Sequence, residues 1–565
     1  MYKPTIQQQD ILDCDENCVV IAGPGSGKTS TIAHKIRSVS EGLRWFEGIA
    51  AISYTNKASN ELKQKTYNLG LKVNNSFFGT IDSFYIGNII IPFGKRFFGL
   101  QQQNIVIDKL DSSNDTYVNR IISDVNKVVE RYKSVSVEKL DKDNIIPINE
   151  IDRNHFDFIS RKFKEGIFDI RLISSISNII FLSSKACRKY FKSRFKYLFI
   201  DEFQDSGKDQ YYLFLRISEI GVKCWGIGDI NQSIFRFASK SSEFLKELLT
   251  NANFINFPMD INHRCHPSID LYSRKLLGYD EKPIGSENRV YKLFVDGTEC
   301  DIGRWFEHQM EEIKQMFGIE KNSSIGILAT KDITLAKFLE HIDIPHKFYK
   351  KSILDQDKSP CNALLSKLLE VAFDKKHTVY NFINDYFDRE ISSHRFIIKE
   401  VSKLVNQFKR KLNKFRSEAI TEMNRLLYLF SEITAYIYPD LSNQSAIENL
   451  EYLLKNKSLL NDFIPAKDEE VQLMNLHKSK GMEFDVVVHL DLYQFILPVY
   501  DWIVKEDLEA YVDSLNLHYV GVTRAKKALF LTSSSKRFQT RTENFINAEQ
   551  SEFLIGDVER FQTQW

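Results

Sequence analysis

Net charge is what this sequence has least of: 76 lysines and arginines face 75 aspartates and glutamates over 565 residues. A global basic field is therefore excluded, and any footprint for nucleic acid has to be local. Cysteine is sparse, at seven. Cys14 and Cys18 form a lone pair with no second pair at zinc spacing, so no metal site is expected from them. Scattered free thiols suit a reducing compartment. Long apolar runs are missing as well: none approaches the ~18 residues of a membrane span, and the opening MYKPTIQQQD carries no signal-like stretch. Together these absences imply a soluble, cytoplasmic protein with no membrane partner.

What is present is globular in character. Hydrophobic residues make up 43% and charged residues 27%, and a chain this long is expected to divide into several domains. The 42 Phe and 24 Tyr are a heavy load. Most must be core, so an aromatic counts as a stacking candidate only where a motif places it.

Short β-branched or aromatic runs recur ahead of polar, glycine-bearing or acidic turns, at 18–21, 49–53, 195–200, 224–228, 254–257, 325–329, 471–474, 486–490 and 529–532. Helical patterns separate them. That alternation predicts α/β architecture with parallel sheets whose ligands lie at the carboxyl ends of the strands. The runs fall into two sets, before about 280 and after about 320, which predicts two sheets. Residues 100–185 are polar and helix-patterned. Residues 375–465 read as helical throughout and carry the basic run Lys399, Lys403, Lys409, Arg410, Lys411, Lys414 and Arg416. A solvated helix face accounts for that run; a nucleic-acid contact is the alternative.

Directly after the first apolar run stands Ala22, Gly23, Pro24, Gly25, Ser26, Gly27, Lys28, Thr29 and Ser30. A strand, a glycine turn and a helix start in that order form a phosphate cradle. Glycines let backbone amides approach the phosphates, and the helix N-terminus adds its positive end. Lys28 supplies a point charge and the Thr29 hydroxyl can ligate Mg²⁺. Ala22 departs from the usual glycine at that position. The segment DEFQD, 201–205, follows another apolar run. There Asp201 can hold the metal's shell and Glu202 can accept the proton of an attacking water. The two segments together predict ATP and Mg²⁺ as cofactors.

Four more segments give the chain a resemblance: SYTNKASNEL (53–62), GDINQSIFRF (228–237), LHKSKGMEF (476–484) and YVGVTRAK (519–526). With the phosphate loop and DEFQD, in this order, they resemble the motifs of superfamily 1 helicases of the UvrD/Rep/PcrA type. The resemblance implies two RecA-like parallel-sheet domains, each interrupted by a mainly helical insert. The first covers 1–95 and 186–275 around an insert at 96–185. The second covers 276–374 and 466–565 around an insert at 375–465.

It also implies roles. Gln8, three residues after Thr5, stands where the family reads adenine, with Gln7 close enough to leave the register open. Gln232 would contact the γ-phosphate, and Arg264 and Arg524 would stabilise its transition-state charge. Gly481 and Glu483 would border the nucleotide, with Glu483 on the ribose, and His263 replaces an adenine-stacking Tyr. For single-stranded DNA, Tyr54 and Phe237 match stacking aromatics, while Phe235 reads as either core or platform. Thr55, Asn56, Thr80, Ser83 and His477 match phosphate or sugar contacts. Asp82, Asn475 and Ala238–Ser239–Lys240 depart from the family pattern.

The resemblance thus implies an ATP-dependent 3′–5′ single-strand translocase or helicase. The short inserts leave a rival: a DNA-sensing ATPase subunit like those of phage-defence systems such as Gabija, which work beside an OLD-family nuclease.

Overall fold

The computed structural model describes residues 3–565 apart from 55, 71–75, 102–103, 109–114, 234–241, 284–286, 351, 356–358, 388–393 and 418–421. The apolar runs read from the sequence form strands, and further strands join them. In the first half these are β1 (Cys18–Ala22), β2 (Gly48–Ser53), β3 (Phe77–Thr80), β4 (Val106–Asp108), β5 (Ile167–Asp169), β6 (Phe195–Ile200), β7 (Lys223–Gly228) and β8 (Ile255–Met259). In the second half they are β9 (Val290–Val295), β10 (Ile325–Ala329), β11 (His346–Tyr349), β12 (Val471–Asn475), β13 (Phe484–His489), β14 (Ala525–Ser534), β15 (Lys536–Gln539), β16 (Asn544–Asn547) and β17 (Thr563–Gln564).

Two sheets dominate. One has six strands in the order β3-β2-β6-β7-β1-β8, the other seven in the order β11-β12-β10-β13-β14-β9-β17. Every pairing inside both is parallel. The fold is α/β. A parallel sheet covered by helices on both faces needs apolar side chains on both, hence continuous apolar runs instead of alternation. In the first sheet Val19, Ala50 and Ile52 enter one core, while Cys18, Val20, Ile49 and Ala51 enter another. In the second, Ile325 and Ile327 point one way and Leu328 and Val487 the other.

The chain between β3 and β6 is mainly helical, apart from the parallel pair β4–β5. Among the described residues, the chain from Pro360 to Phe463 is mainly helical and includes the 24-residue helix His394–Ser417 that carries the basic run. These two helical bodies meet. Ile105 N donates to the Asp440 carbonyl at 2.9 Å, and Ser442 N donates to the Ile105 carbonyl at 2.8 Å. The second body also docks on the helix Asn56–Asn68 of the first half, through Lys63 on Asp385 at 3.0 Å. One apolar cluster runs from Val19 and Ile52 through Phe163 and Ile179 to Leu364, Phe408 and Leu453. Among the described residues no helix is long and apolar enough to cross a membrane.

A buried histidine pair joins β13 to the helix Leu508–Val522. His518 Nδ1 lies 3.2 Å from His489 Nε2, and His518 stacks on Phe553. Burial pushes His489 down to about 4 and His518 well below its ordinary value. In the unfolded chain both bind a proton near pH 6.5, so folding stability should fall as pH drops through that value towards 4. At pH 5 the expected loss is about 2 kcal/mol per histidine. Denaturant midpoints at pH 7 and pH 5 check this; equal midpoints would show the pair to be ordinary in the folded state.

Candidate functional site

β1 ends at Ala22, which still pairs with Met259 of β8. Because it is the last residue of a strand, this position requires no left-handed conformation, which explains how alanine replaces the usual glycine. The loop then turns sharply. Gly25 and Gly27 adopt φ of +70° and +81°. A Cβ on Gly25 would come within 2.2 Å of Asn262 Oδ1, and one on Gly27 within 2.8 Å of Gln8 Nε2. Glycine is needed at both for conformation and for space. Lys28 opens the helix Lys28–Ser40, so its first-turn amides face the loop.

The ends of the neighbouring strands complete the floor. Asp201 and Glu202 follow β6, and Glu202 sits at φ +59°, a costly conformation for a residue with a side chain. Lys28 Nζ lies 2.5 Å from Glu202 Oε1 and 3.1 Å from Asp201 Oδ1. Burial favours the neutral form of Glu202, but Lys28 and then Lys480 override it and hold the carboxyl well below the usual range. Burial raises Asp201 against the pull of Lys28. Gln232 follows β7 and donates from Nε2 to Asp229 Oδ2 at 2.8 Å. Burial lifts Asp229 to about 6.

The second sheet closes the other side. Arg524, just before β14, donates to the Val520 and Met482 carbonyls at 3.0 and 3.2 Å. Its Nη2 also reaches Gln232 Oε1 of the first half at 3.3 Å. Burial, then Arg264, lowers its guanidinium to about 10, so it remains charged at neutral pH. Arg264 crosses the other way, with Nε 2.9 Å from Glu483 Oε2. Between the two sheets lies a cavity of about 670 Å³. It is lined by residues 22–30 and by Asp201, Glu202, Gln232, His263, Arg264, Gly481, Glu483 and Arg524, which were singled out from sequence. Residues 4–252 match the family model described as the UvrD/REP helicase N-terminal domain.

The first half of the chain carries a UvrD/REP helicase N-terminal domain.

The whole chain resembles known proteins at low identity and over long coverage. It is 25% identical to Gabija protein GajB of Bacillus cereus (strain VD045), over 98% of this chain and 100% of that one. It is 23% identical to ATP-dependent DNA helicase Rep of Buchnera aphidicola subsp. Schizaphis graminum, over 92% of each chain. It is 22% identical to ATP-dependent DNA helicase PcrA of Leuconostoc citreum, over 92% of this chain and 80% of that one.

Several residues in this cleft escaped the sequence reading. Lys480 is the foremost. It leaves the second half to contact Asp205 Oδ2 at 2.6 Å, Glu202 Oε2 at 3.2 Å and the Gln232 carbonyl at 3.1 Å. Its signal was in view, because it stands inside LHKSKGMEF between His477 and Gly481. Gln204 donates to Glu202 Oε2 at 2.5 Å, and Lys526 lies 3.6 Å from Glu483 Oε1. Gln8 and Gln7 part company in the structure. Gln8 Nε2 donates to the Ser26 carbonyl at 2.9 Å, whereas Gln7 bonds Asp260.

Among the described residues matched to DNA contacts, Tyr54, Thr80, Ser83 and His477 do not line this cavity. Tyr54 ends the β2 turn, and its hydroxyl bonds Ser206 Oγ and Gln210 Oε1, each at 2.7 Å. Thr80 caps the helix Ile81–Tyr85, accepting from Ser83 N at 3.3 Å, and its hydroxyl lies 2.9 Å from Ser83 Oγ. His477 is on the short helix Leu476–Ser479, which Asn475 caps. Asp82 stands in the first turn after Thr80. Thr55, Phe235 and Phe237 lie outside the described residues, as do the side chain of Asn56 and the segment Ala238–Ser239–Lys240.

Proposed function

We propose that this chain is an ATP-driven single-stranded-DNA motor that hydrolyses ATP in the cleft between its two sheets. The proposed domain partition is 1–95 with 186–275, and 276–374 with 466–565, around inserts at 96–185 and 375–465. The observation that carries the reading is the meeting of Lys28, Gln232 and Arg524 on one cavity, although Arg524 belongs to the other sheet.

The residues fit a nucleotide. The loop leaves no room for side chains at Gly25 and Gly27, and the buried Ser26 Oγ has no hydrogen-bond partner. Thr29 and Asp201 offer the hard oxygen donors that suit Mg²⁺, which would offset phosphate charge when bound. Glu202 serves as the base. Clamped by two lysines, it is a poor proton acceptor; a triphosphate that draws Lys28 and Lys480 onto its own oxygens frees that carboxylate and raises its basicity. Arg264 and Arg524 meet the charge that develops on the γ-phosphate. Gln8, His263, Gly481 and Glu483 border the nucleoside.

Single-stranded DNA runs across the two sheets past Tyr54, Thr55, Asn56, Thr80, Ser83, Phe235, Phe237 and His477, moving 3′ to 5′ as the family resemblance implies. Single-stranded DNA should therefore stimulate ATP turnover, because a strand that spans both sheets favours the closed cleft. Steady-state turnover with and without an oligonucleotide is the test. Turnover that ignores every strand offered would remove the motor reading.

The end-to-end match to Gabija protein GajB favours a second reading: a DNA-sensing ATPase that gates a partner nuclease and unwinds little. Strand-stimulated turnover without duplex separation would select it.

A further inference from the structure

The helix Ile6–Asp13 ends at Cys14, and β1 begins at Cys18. Only residues 15–17 separate them, and Asp15 and Glu16 are exposed. Both thiols belong to the same buried cluster beneath the first sheet, and Cys14 Sγ lies 3.9 Å from the Glu16 carbonyl in the turn between them. Cys14 lies at the solvent edge, 9% exposed, and Cys18 behind it is fully buried. Lys35, on the helix that starts at Lys28, donates from Nζ to the Leu12 and Cys14 carbonyls. An ammonium is thereby fixed beside the pair.

We propose that Cys14 and Cys18 form a peroxide-sensitive dithiol–disulfide pair that adjusts the phosphate loop. The sulfurs are unequal, as such chemistry requires. The neighbouring Cys18 thiol, then the Glu16 backbone and Lys35, draw the Cys14 thiol down to about 6 against burial, whereas burial pushes Cys18 far up. Cys14 is then the thiolate nucleophile and Cys18 the resolving thiol.

The Cys14 sulfur attacks one oxygen of hydrogen peroxide, the O–O bond breaks, and hydroxide leaves a sulfenic acid on Cys14. Cys18 loses its proton to that hydroxide, giving water, and its sulfur attacks the Cys14 sulfur. The S–S bond forms as the S–O bond breaks, and the departing hydroxide takes up a proton from solvent, the one Cys14 released on ionising. Two thiols and one peroxide become one disulfide and two waters, a two-electron oxidation that a dithiol reductant reverses.

The pair is mechanically placed to matter. A disulfide holds its sulfurs about 2.05 Å apart, far inside any non-bonded sulfur contact, so the helix end must be drawn towards β1. That helix carries Gln8, whose amide holds the Ser26 carbonyl, and β1 runs straight into the loop. Oxidation therefore displaces the loop's support from two sides.

The test uses the full-length chain, hydrogen peroxide as oxidant and a fluorescent ATP analogue as nucleotide probe. Peptide mass analysis should find the Cys14–Cys18 segment two hydrogens lighter after oxidation and restored by dithiothreitol. Analogue Kd should rise several-fold on oxidation and recover on reduction, and Cys14→Ala should show neither change. Sulfinic Cys14 with a free Cys18 overturns the proposal, as does a disulfide that leaves Kd unaltered or a Cys14→Ala chain that responds as wild type does. None of these readouts needs turnover, so a chain that forms the disulfide yet never hydrolyses ATP would count against the motor reading alone.

Discussion

Arg524→Ala is expected to cut ATP turnover by at least about 10²-fold while nucleotide affinity changes far less. An arginine brought from outside the phosphate-binding unit is worth about 10³–10⁵ in phosphoryl transfer where it has been measured. The geometry here fits that role. Arg524 is anchored on its own half by the Val520 and Met482 carbonyls, and its remaining nitrogen reaches Gln232 across the cleft. A group so held costs no reorganisation when charge develops, so its loss falls on the transition state more than on binding. DNA should still bind, but a non-hydrolysable ATP analogue should no longer alter that affinity, because closure has lost its contact. Turnover and fluorescence anisotropy, each with and without the analogue, give the result. Thermal melting is measured beside them, since truncation also takes donors from the Met482 and Val520 carbonyls, the second of which keeps Thr523 Oγ1 at 3.2 Å. A variant that keeps more than about a third of its turnover, far outside the cited scale, would mean that the second sheet does not complete the site.

Glu202→Gln should bind ATP and lose hydrolysis by at least about 10²-fold, the scale expected for removal of a general base. The fold should tolerate the change. Lys28 keeps Asp201 at 3.1 Å, and Lys480 keeps Asp205 at 2.6 Å, so neither buried cation is left alone. Loss of one negative charge between two lysines should even tighten nucleotide binding slightly. Single-turnover hydrolysis and analogue binding separate the two effects. Near-normal hydrolysis by this variant would transfer the base role to another group.

The sequence was most legible where a backbone constraint and a charge coincide. The phosphate loop, DEFQD, Arg264 and Arg524 could be read because glycine turns, strand ends and fixed charges recur at set spacings, and the structure gathers them on one cavity. The interior strands were legible for a related reason: burial on both faces demands unbroken apolar runs. β3, β9 and β11 went unread because each breaks that rule. β11, His346–Tyr349, is an edge strand with polar residues, and β9 carries a buried Lys292 satisfied by Glu559 and the Leu554 carbonyl. Lys480 was missed because its partners, Asp205 and the Gln232 carbonyl, lie more than 240 residues away, and no local pattern announces a long-range ion pair. The pair β4–β5 was missed because strands of three residues are too short to establish a period.

The shared core of the two helical bodies bears on how force would be transmitted. The second body is spliced into the second sheet, yet its apolar side chains pack with the first body and the first sheet in one cluster. It is also riveted to the first half by Lys63 on Asp385 and by the Ile105 bonds. The second sheet is thus moored at three places: by the covalent link between β8 and β9, and by the two strands of chain that enter and leave the second body. A swing of that sheet about the cleft cannot carry its own insert along without tearing apolar contacts from the first half. Such a swing has to be taken up where the chain leaves that body, between Phe463 and β12. In the proposed motor, the stiffness of that segment, more than any one contact in the cleft, limits how far the cleft can open and close, and lengthening it should lengthen the stroke.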